Sequence, residues 1–176
     1  MGEEAAARYA RRFGPLDDSH SGGTVLNYEA LAIYAYSTEL TWHERINSEL
    51  WRGDPSADVV LFTSVLNSTL TKLPPYLLNS RVVYRGFKAD NLDAFLRRYR
   101  VGHQVTFPAF TSATFKRELA FGGNVLFTIR TLTGKAIWYL AANFDEMEVL
   151  IPSGRSFRVI DVERHSEAAV ISLDEL

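Results

Sequence analysis

The 176-residue chain contains no cysteine. That absence excludes a disulfide framework and any site built on thiolate ligands, and it suits a reducing destination. An excess of one charge is also missing. The 19 Lys and Arg residues against 21 Asp and Glu leave a net charge of -2 and a pI near 6.1, so no global field argues for a nucleic-acid partner. Met1-Gly2-Glu3-Glu4 carries no basic n-region, and the uncharged run from Ala136 to Phe144 is far too short to span a bilayer. We therefore expect no signal peptide in this chain and no membrane partner. Neither Gly-x-Gly-x-x-Gly nor a Walker sequence occurs, which removes a Rossmann or P-loop mode of nucleotide binding. His20, His43, His103 and His165 stand apart without metal-ligand spacing, so no metal site is expected. The sequon Asn67-Ser68-Thr69 falls in a helical segment and is read as chance.

What is present suffices for one core. With 47% apolar and 12% aromatic residues, the chain predicts a single domain. Five charges among alanines in residues 1–12, then a Pro/Asp/Ser/Gly stretch from Gly14 to Gly23, predict a flexible segment over 1–24 and a fold over 25–176. Leu26, Ala30 and Ile33, then Trp42, Ile46 and Leu50, recur at helical spacing. Thr41 with Glu44 reads as a capping box between two helices, and Gly53 as the end of the second. Asp54-Pro55 predicts a cap that opens a helix running to about Lys72, before Pro74-Pro75. After Ser80 the period changes to two, in pairs such as Val82 and Tyr84, Val125 and Phe127, Val149 and Ile151. A helix over Leu92–Tyr99 and a short one near Arg117–Ala120 interrupt the strands, and Arg97-Arg98-Tyr99-Arg100 reads as a solvated helix end in preference to a small basic patch at a ligand cleft. Helices first and strands last predict an α+β fold.

Three strand-like runs each deliver polar groups: Val82-Val83-Tyr84-Arg85-Gly86, Phe110-Thr111-Ser112-Ala113-Thr114, and Glu146-Met147-Glu148-Val149-Leu150-Ile151-Pro152. Each has a plainer explanation alone. Arg85 reads equally as a salt-bridged strand end with a turn glycine behind it, and Ser112 as a small residue bonded to nearby backbone. The period of a strand places Glu146 and Glu148 on one face, which a solvated edge would also explain. Together they suit NAD chemistry. A guanidinium can clamp a pyrophosphate, and a carboxylate can stabilise a sugar ring that turns positive as its glycosidic bond breaks.

On these motifs the chain resembles the Arg-Ser-Glu class of mono-ADP-ribosyltransferases, toxins and ecto-enzymes among them. The resemblance runs from about Ala30 to Val162. It includes Ala35-Tyr36-Ser37 with Ile46-Asn47-Ser48-Glu49-Leu50, Gly102–Phe107, Ala120–Phe127, and Phe157-Arg158-Val159-Ile160. The family's Ser-Thr-Ser stands here as Ser112-Ala113-Thr114. The resemblance implies N-terminal helices packed on a mainly antiparallel or mixed two-sheet β core, with residues 25–176 as one catalytic domain.

It further implies that NAD is the co-substrate, with no metal. Arg85 would hold the pyrophosphate, the Gly86 backbone the nicotinamide amide, and Ser112 would position Glu148. Glu148 would bond the ribose 2′-hydroxyl and stabilise the oxocarbenium-like transition state. Glu146, a glutamate where glutamine accompanies other acceptors, would orient an arginine of a target protein. Phe144 would contact that protein, and Phe121, in preference to Phe115, would stack on nicotinamide. The implied protein is a monomeric toxin or effector, secreted or delivered into a target cell's cytoplasm and opposed by a cognate immunity protein. An NAD glycohydrolase on the same fold and a non-enzymatic interaction module remain as alternatives.

Overall fold

Helical and strand-forming segments separate along the chain as their periods predict. The computed structural model describes residues 3–13, 20–21, 25–38, 42–120 and 122–176. They form two units, Met1–Pro74 with Ile137–Asp145, and Pro75–Ala136 with Glu146–Leu176.

The first unit contains helix α1 (Glu3–Phe13), a short antiparallel pair β1 (His20–Ser21) and β2 (Val25–Leu26), and helices α2 (Asn27–Tyr36), α3 (Trp42–Arg52) and α4 (Ala57–Lys72). Helix α2 is its centre. Ala30, Ile33, Tyr34, Ala35 and Tyr36 are all buried, because α1, α3 and α4 each pack against it and leave no solvated stripe. Residues 3–13, read from composition as flexible, are helical, and Tyr9 explains why: it is fully buried and meets the Tyr34 ring edge-on at 5.8 Å. Glu29 accepts the Leu26 amide at 3.0 Å and pairs with Lys72 of α4. The predicted capping box rests on Thr41, which lies outside the described residues.

Helix α4 starts two residues later than Asp54-Pro55 predicts, with Ser56 as its N-cap. The reason is a bridge from the preceding helix. Ser56 gives its amide to the Glu49 carboxylate at 2.9 Å and its hydroxyl to the same oxygen. Arg45 joins Glu49 at 2.8 Å and Asp58 at 2.9 Å. With the Ser56 hydroxyl as the largest influence, the Glu49 carboxyl is held at about 2. The helix stops at Leu73, before Pro74, because the residue ahead of a proline is driven into extended backbone.

The second unit carries strands β3 (Val82–Phe87), β4 (Gln104–Phe107), β5 (Thr111–Thr114), β6 (Val125–Arg130), β7 (Lys135–Ala136), β8 (Glu148–Ile151), β9 (Arg155–His165) and β10 (Ala168–Glu175), with helix α5 (Leu92–Leu96). Their order is β4-β9-β10-β6-β3-β5-β8-β7. Every neighbouring pair is antiparallel except β10 with β6. The sheet narrows in one place. Strands β3 and β5 meet only at Tyr84 and Thr114, so a five-stranded and a three-stranded part are joined at a single residue pair.

Alternate residues of these strands, including Val83, Phe127, Ile129, Ile151, Phe157 and Ile171, form the core. An aromatic chain runs through it: Phe95 to Tyr99 at 5.1 Å, Tyr99 to Phe127 at 5.5 Å, and Phe107 to Phe157 at 4.8 Å. Helix α5 ends at Leu96, sooner than the sequence predicts, and turn hydrogen bonds carry the chain on to Tyr99. Tyr99 is buried in the core, while Arg97, Arg98 and Arg100 around it are solvated as predicted.

Candidate functional site

Arg85 lies on β3 beside the narrow junction. Its Nη1 donates to the Ser112 carbonyl of β5 at 2.7 Å, so the guanidinium is tied across the place where the two strands lose their pairing. Its charge reaches the Tyr99 hydroxyl. Burial pushes that group up to about 12, and the cations Arg98 and Arg85 oppose the shift.

Ser112 sits opposite Leu150, and Glu148 opposite Thr114, in the antiparallel β5–β8 ladder. That register makes Ser112 and Glu148 diagonal neighbours on one face, within reach of each other's side chains. Glu148 is only 4% exposed. Burial pushes its carboxyl up to about 7; a hydrogen bond from the Ser112 hydroxyl opposes this, the nearby Glu146 charge adds to it, and Arg85 opposes it. Arg85, Ser112, Glu146 and Glu148 are thus brought into one electrostatic group. A carboxyl poised near neutrality beside a tethered guanidinium can stabilise developing positive charge or take up a proton.

The two carboxylates are not arranged as strand alternation predicts. Glu146 closes a 3-10 turn, Phe144–Glu146, and β8 begins only at Glu148. Between them Met147 has φ 49°, in the left-handed region. Their proximity is set by this turn and not by the pleat.

Ala113 and Thr114 explain the altered serine motif. Ala113 faces the apolar core, where a hydroxyl would need a buried partner. Thr114 Oγ1 accepts the Lys116 amide at 3.2 Å and so shapes the turn after β5. Phe121 lies outside the described residues. Phe115 stacks on Tyr76, with ring centroids 6.0 Å apart. Phe144 belongs to the first unit, is 45% exposed, and meets Trp138 edge-on at 5.0 Å.

Gly86 borders a cavity of about 270 Å³, also lined by Arg117, Asn124, Leu126, His165 and Val170. Two residues of the Ala120–Phe127 run, given no individual role by sequence, line the same cavity. Asn124 accepts from the Ala89 amide and donates to the Ala89 carbonyl, at 2.8 and 2.9 Å, strapping its loop to the end of β3. A Cβ on Gly123 would lie 2.3 Å from the Phe87 carbonyl oxygen, so only glycine fits this approach. The Gly122-Gly123-Asn124 string was the available signal. Among the described residues, no group of three or more His, Asp or Glu side chains could hold a metal ion. No helix among them is long and apolar enough to cross a membrane.

Comparison with known proteins adds to this geometry. Residues 1–176 match the family model described as NAD:arginine ADP-ribosyltransferase. An NAD(+)--protein-arginine ADP-ribosyltransferase, Tre1 of Pseudomonas putida, is 31% identical over 165 residues, covering 92% of this chain and 32% of that protein. The Mycobacterium avium protein Mav is 32% identical over 169 residues, covering 89% of this chain and 20% of that one. The chain thus spans a minor part of each relative. Among solved structures, the ADP-ribosyltransferase Vis of Vibrio splendidus, crystallised with agmatine, superposes with a TM-score of 0.71 at 25% identity, covering 100% of this chain and 86% of that one.

Proposed function

The chain belongs to the NAD:arginine ADP-ribosyltransferase family, and from that premise we propose that it splits NAD and transfers ADP-ribose to an arginine of a target protein. The observation that carries this reading is the buried Glu148 carboxyl, bonded by Ser112 and near both the Arg85 guanidinium and Glu146. In this reading Arg85 offers a planar fork to the pyrophosphate, and the Gly86 backbone bonds the nicotinamide amide. The bond between the nicotinamide nitrogen and the ribose breaks, and its electron pair leaves with neutral nicotinamide. Glu148, ionised, faces the positive charge this leaves on the ribose. The acceptor's guanidinium nitrogen then forms the new bond to the ribose carbon, and Glu146 takes the proton it releases. Agmatine, present in the Vis crystal, is a small acceptor with the same guanidinium. The setting we propose is a toxin or effector that enters a target cell, of which this chain is the catalytic part.

Glu146→Gln tests the acceptor assignment. Transfer to agmatine should fall on the order of 10² while NAD hydrolysis falls much less, because water needs no partner to orient a guanidinium. Both rates are measured on one preparation with labelled NAD. Equal losses would mean that Glu146 supports the whole site, and free ADP-ribose as the only product of the parent would replace transfer by glycohydrolysis.

A further inference from the structure

The segment 137–145 has little regular structure of its own, yet side chains from two helices hold it. Ile137, Leu140 and Ala141 are buried, and the Ile137 carbonyl accepts the amides of Leu140 and Ala141 at 2.8 and 2.9 Å. Arg12, at the end of α1, directs one nitrogen at two consecutive carbonyls, Ala141 at 2.8 Å and Ala142 at 3.1 Å. The Ala142 amide donates to Ser37 Oγ at 2.8 Å, at the C-cap of α2, and Ser37 Oγ donates onward to the Tyr34 carbonyl at 3.0 Å. Both backbone groups of Ala142 are therefore taken by side chains from different helices. Two residues later comes Phe144, exposed but braced edge-on by Trp138. A large exposed aromatic on a pinned backbone makes a pre-ordered contact, since docking on it immobilises little that was free.

We infer that Arg12 and Ser37 form a clamp that fixes Phe144 for docking on the protein acceptor, and so govern which proteins are modified rather than the chemistry itself. Arg12 and Ser37 are positioning residues, and α1 becomes part of acceptor recognition. The inference rests on the proposed transfer to a protein arginine and on the resemblance's expectation that Phe144 meets that protein.

The test compares three rates on one preparation: NAD hydrolysis, transfer to agmatine, and labelling of the soluble proteins of a bacterial lysate from labelled NAD. Arg12→Ala should lower protein labelling on the order of tenfold, as a raised KM, because the flexible loop must be ordered at each encounter. Agmatine transfer and hydrolysis should stay within about twofold, since agmatine has no surface for Phe144 to meet. Arg12→Lys should retain most protein labelling, because one ammonium can serve both carbonyls. Ser37→Ala removes the other half of the clamp without touching Arg12 and should give the same split, which keeps the inference testable if Arg12→Ala fails to fold. Equal losses in all three rates, or unchanged protein labelling in Ser37→Ala, would overturn the clamp. A parent that modifies agmatine but labels no protein would remove the Phe144 reading and the clamp with it. A parent that modifies neither would fail earlier, at the proposed function.

Discussion

Burial places the Glu148 carboxyl near 7, well above its ordinary 4.5. The sign of its effect on stability follows from that direction. The folded state favours the protonated acid, so the benefit is full below about 4.5 and is lost as pH rises through 7. By pH 9 the parent should be less stable than Glu148→Gln by roughly 3 kcal/mol relative to their difference at pH 4, read by urea unfolding at both pH values. Activity should move oppositely. Hydrolysis and transfer should climb as Glu148 ionises, and Glu148→Gln should lower both by about 10² or more at pH 8. A folded variant keeping over half its activity would take Glu148 out of the mechanism. At this scale the sequence was informative: Arg85, Ser112, Glu146 and Glu148, from three separate runs, meet in one electrostatic group. The core-facing role of Ala113 was not legible, because which residue of a short strand turns inward depends on its partner strands.

Elements ended where tertiary contacts required. Asp54-Pro55 is a good cap signal, but Glu49 recruits Ser56 instead, and no local rule reveals a carboxylate seven residues upstream. Glu146 and Glu148 look like one strand, yet left-handed Met147 separates them, a conformation that sequence gives little reason to expect at methionine. Glu175 on β10 is another such hidden determinant. One of its oxygens accepts the Thr131 hydroxyl at 2.7 Å and the amides of Leu132 and Thr133 at 2.5 and 2.9 Å, while the other accepts the Thr133 hydroxyl. It therefore organises the turn between β6 and β7. Glu175→Gln places an amide donor against these donors and should cost about 2 kcal/mol, seen as a lowered melting temperature. An unchanged melting temperature would mean that the turn holds without it.

Across the whole chain, the α+β class was legible from the change of period near Ser80, whereas the strand order was not. Pairing β10 parallel to β6, and β9 with β4, joins residues far apart in sequence, and periodicity carries no information about partners. The composition of residues 3–13 concealed a helix because a single Tyr9 anchors it. NAD binding should stabilise the folded chain as a ligand stabilises any native state. Arg85→Lys retains the charge but not the fork, so NAD affinity should fall roughly tenfold and the NAD-induced rise in melting temperature should shrink. Unchanged affinity with a lower melting temperature would leave Arg85 a strand tie only. The single ladder pair between Tyr84 and Thr114 has a mechanical consequence. The groups we propose as reactive straddle a fault line, with Arg85 on one bank and Ser112 and Glu148 on the other. Parting the strands there would cost that one residue pair and the Arg85 bond to the Ser112 carbonyl, and no ladder, so the span between charge and countercharge rests on two ties.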